Sequence, residues 1–394
     1  MKEWKTYRIG DICKTNTSQY STKEAWDEFL YLDTGNITRN TIDEIARYSS
    51  TAELPSRARR KVISDDIIFS TVRPNQCHFG ILSNPPANLL VSTGFTVITA
   101  NKEIVDPYYL YYYLTQDSIV DYLHSIGEQA VSAYPSIKAQ DIEDLEIELP
   151  DLSTQNNIAK TLRALDKKIQ LNRQINDNLE QQASSLLSDW ISTYPCRTYK
   201  LSDICKYANA KCETGNLTPQ NYISTENMLP NKKGIVEASN IPTGKATCYK
   251  VDDVLIANIR PYFQKIWKAD INGGCSADVL CIRANIESHS PILYWLLHQD
   301  AFFEYVMTGA KGCKMPRGDK QHIMNWSIDL PEVPYWADLA TQLGSIDQQI
   351  AYNRIESINL SNLRDTLLPK LMSGELKINE IDCELLIYER VENI

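Results

Sequence analysis

The sequence predicts an α+β chain built as a tandem repeat of two mixed α/β units. Each unit is followed by a long helix, and the two helices are expected to pair as an antiparallel coiled coil giving pseudo-two-fold symmetry. Three observations carry this. KTYRIGDICK from Lys5 returns as RTYKLSDICK from Arg197, and the block opening at Gln155 returns at Trp336. Between them, SDDIIFSTVRP from Ser64 returns as VDDVLIANIRP from Val251, LYYYLTQD from Leu110 as LYWLLHQD from Leu293, and DLEIELP from Asp144 as NWSIDLP from Asn325. Ordered recurrence of several blocks marks a true internal repeat. The third observation is a heptad seam after each Leu-Pro. The expected divisions are 1–150, a first variable unit; 151–194, a first helix; 195–331, a second unit; 332–378, a second helix with its ending; and 379–394, a C-terminal extension.

The variable units show strand-like runs rich in Ile, Val and Phe. Asp66 to Val72 and Asp253 to Ile259 each end in Arg-Pro, and Leu89 to Ala100 and Ala277 to Ala284 are of the same kind. Asp106 to Leu123 and Ser290 to Met307 read as helices. The tyrosines at 108, 109, 111, 112 and 113 invite a base-stacking role, but the repeat answers them with the apolar Leu293, Tyr294, Trp295 and Leu296, so core packing is the expectation.

The first seam runs through Ile158, Leu162, Leu165, Ile169, Asn172, Asn176, Leu179, Ala183, Leu186 and Trp190. The second runs through Leu339, Leu343, Ile346, Ile350, Asn353, Ser357, Leu360, Arg364 and Leu367. About 36 helical residues would extend ~54 Å. The bland alternative is an ordinary amphipathic helix lying on its own unit, and the heptads alone do not fix the direction of pairing. Asn172 and Asn353 share a seam position, where a polar residue penalises misalignment. Pro150 and Pro331 stop a strand just before each helix.

Composition excludes several classes. The ten cysteines contain no CxxC pair and the five histidines no HxxxH pair, so reduced thiols are expected rather than zinc or disulfide chemistry. No charged and apolar leader follows Met1 and no apolar run has membrane-spanning length, so a cytoplasmic location is expected. The net charge is −10. It is unevenly spread: residues 1–150 hold 14 Lys and Arg against 21 Asp and Glu, whereas residues 196–330 hold 16 against 13. Phosphate contacts are local, so the overall charge does not exclude DNA, although it predicts weak binding by the isolated chain.

Candidate DNA contacts follow from residue type. Arg73 and Arg260 share a repeat position at a strand end, where a guanidinium can reach a phosphate or a guanine edge; an ion pair with Asp65 and Asp66, or Asp252 and Asp253, is the alternative. GAKGCKMPRGDK from Gly309 sets Lys311, Lys314, Arg317 and Lys320 among glycines, whereas the matched GEQAVSAYPSIK from Gly127 offers Gln129, Ser132 and Tyr134. Such divergence at matched positions is what two different half-sites need. Arg57, Arg59, Arg60 and Lys61 form a further patch, either phosphate-binding or simply solvated. No catalytic motif survives inspection. The Asn84-Pro85-Pro86 sequence continues with Ala87 instead of the aromatic residue of an amino-methyltransferase tetrad, and no glycine-rich cofactor loop accompanies it. Gly244-Lys245 lacks both the leading glycine, replaced by Ser239, and the following Ser or Thr, replaced by Ala246, of a phosphate loop.

The duplicated order of variable unit, Leu-Pro and heptad helix, with LDKKIQLNR at Leu165 and IDQQIAYNR at Ile346, resembles the specificity subunits of Type I restriction-modification systems. The ending NLRDTLLPKLMSGELKI, Asn362 to Ile378, is similar to that family's terminal signature. The resemblance covers essentially the whole chain. It implies that each variable unit is a target recognition domain reading half of a bipartite double-stranded DNA sequence, with the helices as spacer and as much of the docking surface for methyltransferase subunits. It implies no catalysis and no cofactor on this chain: two methyltransferase subunits flip and methylate adenine with S-adenosylmethionine, and restriction subunits cut using ATP and Mg. The extension from Asn379 to Ile394 and the acidic first unit depart from the pattern. A coiled-coil protein-interaction scaffold without DNA recognition is the competing reading.

Overall fold

A computed structural model of the chain describes residues 4–129 and 135–378. Its described residues form two compact units, one within 4–169 with 358–378 and one of residues 170–357. Each holds a globular part and half of each long helix. The repeat boundaries thus separate globular parts from helices, whereas the compact units divide the helices themselves. The cause is apolar burial: in the first unit Ile158 and Leu162 join Leu367, Leu368 and Leu371 in the same core as Tyr109, Leu110 and Tyr112. In the second, Ala183, Leu187 and Trp190 meet Trp336, Leu339, Leu343, Ile292 and Trp295.

Both globular parts follow one plan. A two-stranded antiparallel ribbon, Lys5–Arg8 with Glu146–Leu149, joins the ends of the first, and Cys196–Lys200 with Ser327–Pro331 does the same in the second. A four-stranded sheet orders Cys13–Thr15, Phe95–Ala100, Ile67–Ser70 and Phe79–Ile81; its counterpart orders Cys205–Tyr207, Val279–Ala284, Val254–Ala257 and Ile266–Lys268. The remaining sheet differs. Leu89–Ser92 pairs parallel with Phe29–Leu32 and antiparallel with Ala58–Lys61, and Gly273–Cys275 pairs likewise with Tyr222–Ile223 and Lys245–Tyr249. The fourth strand, however, is Ala46–Tyr48 beside Phe29–Leu32 in the first unit, but Lys211–Glu213 beside Lys245–Tyr249 in the second. Variation is therefore concentrated in one sheet.

Each region expected to be one helix is two: Pro107–Leu114 and Asp117–Gln129 in the first unit, Ser290–Leu297 and Asp300–Thr308 in the second. In the first, Asp106 caps Pro107–Leu114 by accepting from the amides of Tyr108 and Tyr109, and Thr115 ends it. Leu89 to Ala100 likewise resolves into two strands around Thr93-Gly94.

The long helices α1 (Leu152–Thr193) and α2 (Trp336–Met372) run through both units. Within each unit their segments lie antiparallel: Asp166 meets Arg364 in one, and in the other Asn172 meets Asn353 while Leu187 meets Leu339 and Leu343. Ile158, Leu162, Ile169, Leu339, Leu343 and Leu367 are buried, and Leu165, Ile346 and Ile350 pack partly buried on the cores. Leu179 and Leu360 are half-buried. One seam position shifts: Leu187, not Leu186, is fully buried, because Ala183, Leu187 and Trp190 form the inward stripe and Leu186 packs at its edge. The asparagines do interlock. Asn172 Nδ2 donates to Asn353 O at 3.3 Å and Glu356 Oε2 at 2.7 Å, and Asn353 Nδ2 donates to Asn176 Oδ1 at 2.7 Å.

Matched residues also fasten the helices to their globular parts. Asp166 accepts from Tyr112 Oη at 2.6 Å and from Arg364 at 2.7 Å. Its repeat partner Asp347 accepts from Trp295 Nε1 at 2.8 Å and from Lys268 at 2.6 Å. Gln155 Nε2 donates to Pro150 O at 2.9 Å, and Trp336 Nε1 donates to the equivalent Pro331 O at 2.7 Å. Two different side chains thus satisfy the same otherwise orphaned carbonyl.

One carboxylate of α1 supplies a pH signature. Burial, helped by Asp177 and opposed by Lys232, pushes Glu180 up to about 7. A raised carboxyl pKa means the native state favours the protonated form. That contribution is complete below the ordinary Glu range and is lost as pH rises through 7. Glu180→Gln is therefore expected to raise the Tm of the second unit by about 3 °C at pH 8, with the two proteins converging at pH 5, as read by thermal unfolding. An equal gain at both pH values would remove Glu180 as the cause.

Candidate nucleic-acid interface

The arginines at the two matched strand ends occupy an unusual backbone. Arg73 has φ 47° and ψ 68°, and Arg260 has φ 51° and ψ 63°, the left-handed region that non-glycine residues avoid. Each opens a short 3-10 turn, Pro74–Gln76 or Pro261–Phe263, closed by another left-handed residue, Cys77 at φ 56° or Gln264 at φ 50°. Left-handed pairs recur at Arg39-Asn40 and Asn231-Lys232, whose amides bond to the exits of these turns: Arg39 N to Cys77 O at 2.9 Å, and Asn231 N to Phe263 O at 2.8 Å. Strain of this kind persists only where surrounding structure enforces it, and it concentrates at functional positions.

The structure brings together candidates far apart in sequence. In the first unit, Arg73 N donates to Pro135 O at 2.9 Å and Ile137 N to Thr71 O at 2.9 Å, so residues 135–137 lie along the Arg-Pro turn. In the second, Arg260 N donates to Pro316 O at 2.7 Å, and Ile259 bridges Arg317. The basic loop is a small hairpin. Lys311 and Arg317 exchange backbone hydrogen bonds of 2.9 Å, and Gly312, at φ 101°, makes the bend.

The acidic residues that open each strand have partners elsewhere in the unit. Asp66 accepts from Ile63 N and Thr99 Oγ1, and Asp65 pairs with Lys102. Asp253 pairs with Arg283 and Asp252 with Lys268. Arg260 Nε is buried with no hydrogen-bond partner among the described residues. Arg260 as a whole is half-buried.

The remaining cations differ in availability. Lys311 pairs with Asp319 at 2.6 Å and Arg317 with Asp278 at 3.1 Å. The Lys311 ammonium, with the amides of His322 and Gln321, holds Asp319 down to about 2. Lys314 is exposed at the hairpin tip, and Lys320 lies 5.7 Å over the Tyr207 ring. Of the patch on strand Ala58–Lys61, Arg60 bonds Asn16 and Lys61 pairs with Glu24 at 2.6 Å, so these two are consumed within the unit. Arg57 and Arg59 are exposed. Strand alternation separates Arg60 from Arg59, and the ion pair with Glu24 draws in Lys61. Gln129 is exposed at the end of its helix; Ser132 and Tyr134 lie outside the described residues, as does the 379–394 extension.

Sequence reasoning passed over the tips of the two Arg-Pro turns. Asn75 and Gln76 are exposed in the first unit, and Tyr262 and Phe263 stand 48% and 37% exposed in the second. The available signal was the divergence immediately after the matched Arg-Pro. The described cysteines are free, and no group of three or more His, Cys, Asp or Glu among the described residues could hold a metal ion. No helix of the described residues is long and apolar enough to cross a membrane.

Two tandem units each set a left-handed arginine beside a segment whose sequence diverges between the copies. Residues 1–181 match the family described as the Type I restriction modification DNA specificity domain. The chain is 33% identical over 190 residues to the Type I restriction enzyme HindI specificity subunit of Haemophilus influenzae, a match covering 48% of this chain and 41% of that subunit. It is 23% identical over 439 residues to the MjaIX specificity subunit of Methanocaldococcus jannaschii, covering 96% and 95% of the two chains. The fold is shared with a Type I restriction-modification S subunit from M. genitalium, with a TM-score of 0.54, 15% identity, and 93% and 96% coverage. The chain is thus similar to the specificity subunits of Type I restriction-modification systems, with the family match lying in its first 181 residues.

Proposed function

We propose that this chain selects the DNA sequence on which a Type I complex acts, each unit reading one half of a bipartite target. Partner methyltransferase subunits then methylate adenine using S-adenosylmethionine, and restriction subunits cleave using ATP and Mg, with no catalytic group from this chain. The observation that carries this is the matched Arg-Pro turn. Its backbone is held the same way in both units, while the side chains around it differ. A constant mount with variable contacts is what reading two different half-sites requires.

Footprinting of the complex reconstituted with its methyltransferase tests the proposal. Two protected blocks about one helical turn apart are expected. One contiguous block would contradict the two-part reading, and failure to bind any DNA at low salt would favour a protein-interaction scaffold.

The hairpin makes a separate prediction. Replacing Lys311, Lys314 and Arg317 together with alanine should flatten the salt dependence of DNA binding by up to about three ion equivalents. Phosphate must draw Lys311 and Arg317 from Asp319 and Asp278, so Lys314 alone should carry about one of these. An unchanged slope would exclude the hairpin from the interface.

A further inference from the structure

We infer that the two residues following each Arg-Pro determine which bases each unit reads: Asn75 and Gln76 in the first, Tyr262 and Phe263 in the second. This rests on the proposed function and deepens it. The two turns share their mounting. Each begins and ends in left-handed backbone, is bonded at its arginine amide to a loop carbonyl, and is bonded at its exit to a second loop. Behind it lies a helix, Asp117–Gln129 in one unit and Asp300–Thr308 in the other. A site built so rigidly fixes the direction in which its exposed residues project.

The chemistry at the tips is opposite. Asn75 and Gln76 place two exposed amides beside Arg73. An amide presents a donor and an acceptor together, which matches the N6 and N7 edge of adenine in the major groove. Tyr262 and Phe263 instead form an exposed aromatic pair, ring centroids 4.7 Å apart, beside Arg260. Exposed aromatic surface on a fixed turn next to a cation suits a thymine methyl or an unstacked base step, and does not suit solvent. The second unit is therefore assigned an apolar contact where the first makes an amide contact.

The test uses the full chain assembled with its methyltransferase, and DNA libraries randomised over one half-site at a time. The exchange variant Tyr262→Asn with Phe263→Gln, and separately Tyr262→Ala and Phe263→Ala, are compared with the unaltered complex. Altered or relaxed preference at one or two positions of the second half-site, by about 10-fold or more, with the first half-site unchanged, is the expected result. Asn75→Ala with Gln76→Ala should do the converse. Unchanged preferences in all variants would overturn the assignment. So would complete loss of binding at low salt by variants of unaltered Tm, because removing a base contact leaves phosphate binding in place. If the unaltered complex itself shows no half-site preference, the proposed function fails first, and the two failures are thereby distinguished.

Discussion

Replacing Asp347 with alanine is expected to lower the stability of the second unit by about 3 kcal/mol. Trp295 is 1% exposed, and its Nε1 would lose its acceptor. Lys268, also nearly buried, would keep only Asp252 at 3.0 Å. Burial, opposed by Lys268 and Trp295, raises the pKa of Asp347, so the charge itself adds less than the acceptor oxygens do. Asp347→Asn, which retains an acceptor for the indole, should consequently lose about half as much. Thermal unfolding monitored by tryptophan fluorescence measures both. An asparagine variant as unstable as the alanine variant would show that charge, rather than the indole hydrogen bond, holds the helix.

The second large effect belongs to recognition. Arg260→Ala should weaken discrimination in the second half-site by about 10- to 100-fold while leaving the first half-site untouched, as read by competition between cognate and altered duplexes. Arg260→Lys should not restore it, because an ammonium lacks the planar fork that matches a guanine edge. If binding falls equally on all sequences and the salt slope drops by about one, Arg260 contacts a phosphate instead.

The helices and the matched strands were legible in sequence because burial writes itself periodically. Ile158, Leu162 and Ile169 needed only their spacing to be placed, and the offset of the second copy placed Leu339 and Leu343. The departure at Leu186 arose where two adjacent leucines both satisfied an apolar pattern, and only the packing of Ala183 and Trp190 selected Leu187. Asp166 and Asp347 were hidden for another reason. On a helix surface a carboxylate reads as solvated until the aromatic donors Tyr112 and Trp295 are brought to it by the fold.

The interface was visible in its parts but not in its assembly. Arg260 and the loop after Gly309 stand some fifty residues apart, and backbone hydrogen bonds such as that from Arg260 N to Pro316 O join them only in the fold. Nor could composition show that Arg60 turns inward to Asn16 while Arg57 and Arg59 face outward, since strand register decides it. Left-handed backbone at an arginine contradicts its own propensity, so local rules point away from the feature that most clearly marks the site.

The central claim is that two units of one chain read two separate half-sites. Sequencing of modified adenines in a host carrying this chain with its methyltransferase tests it most directly. A motif of two defined half-sites separated by a fixed unspecified spacer, dependent on this chain, is predicted; a single contiguous motif, or methylation indifferent to the chain, would contradict the account.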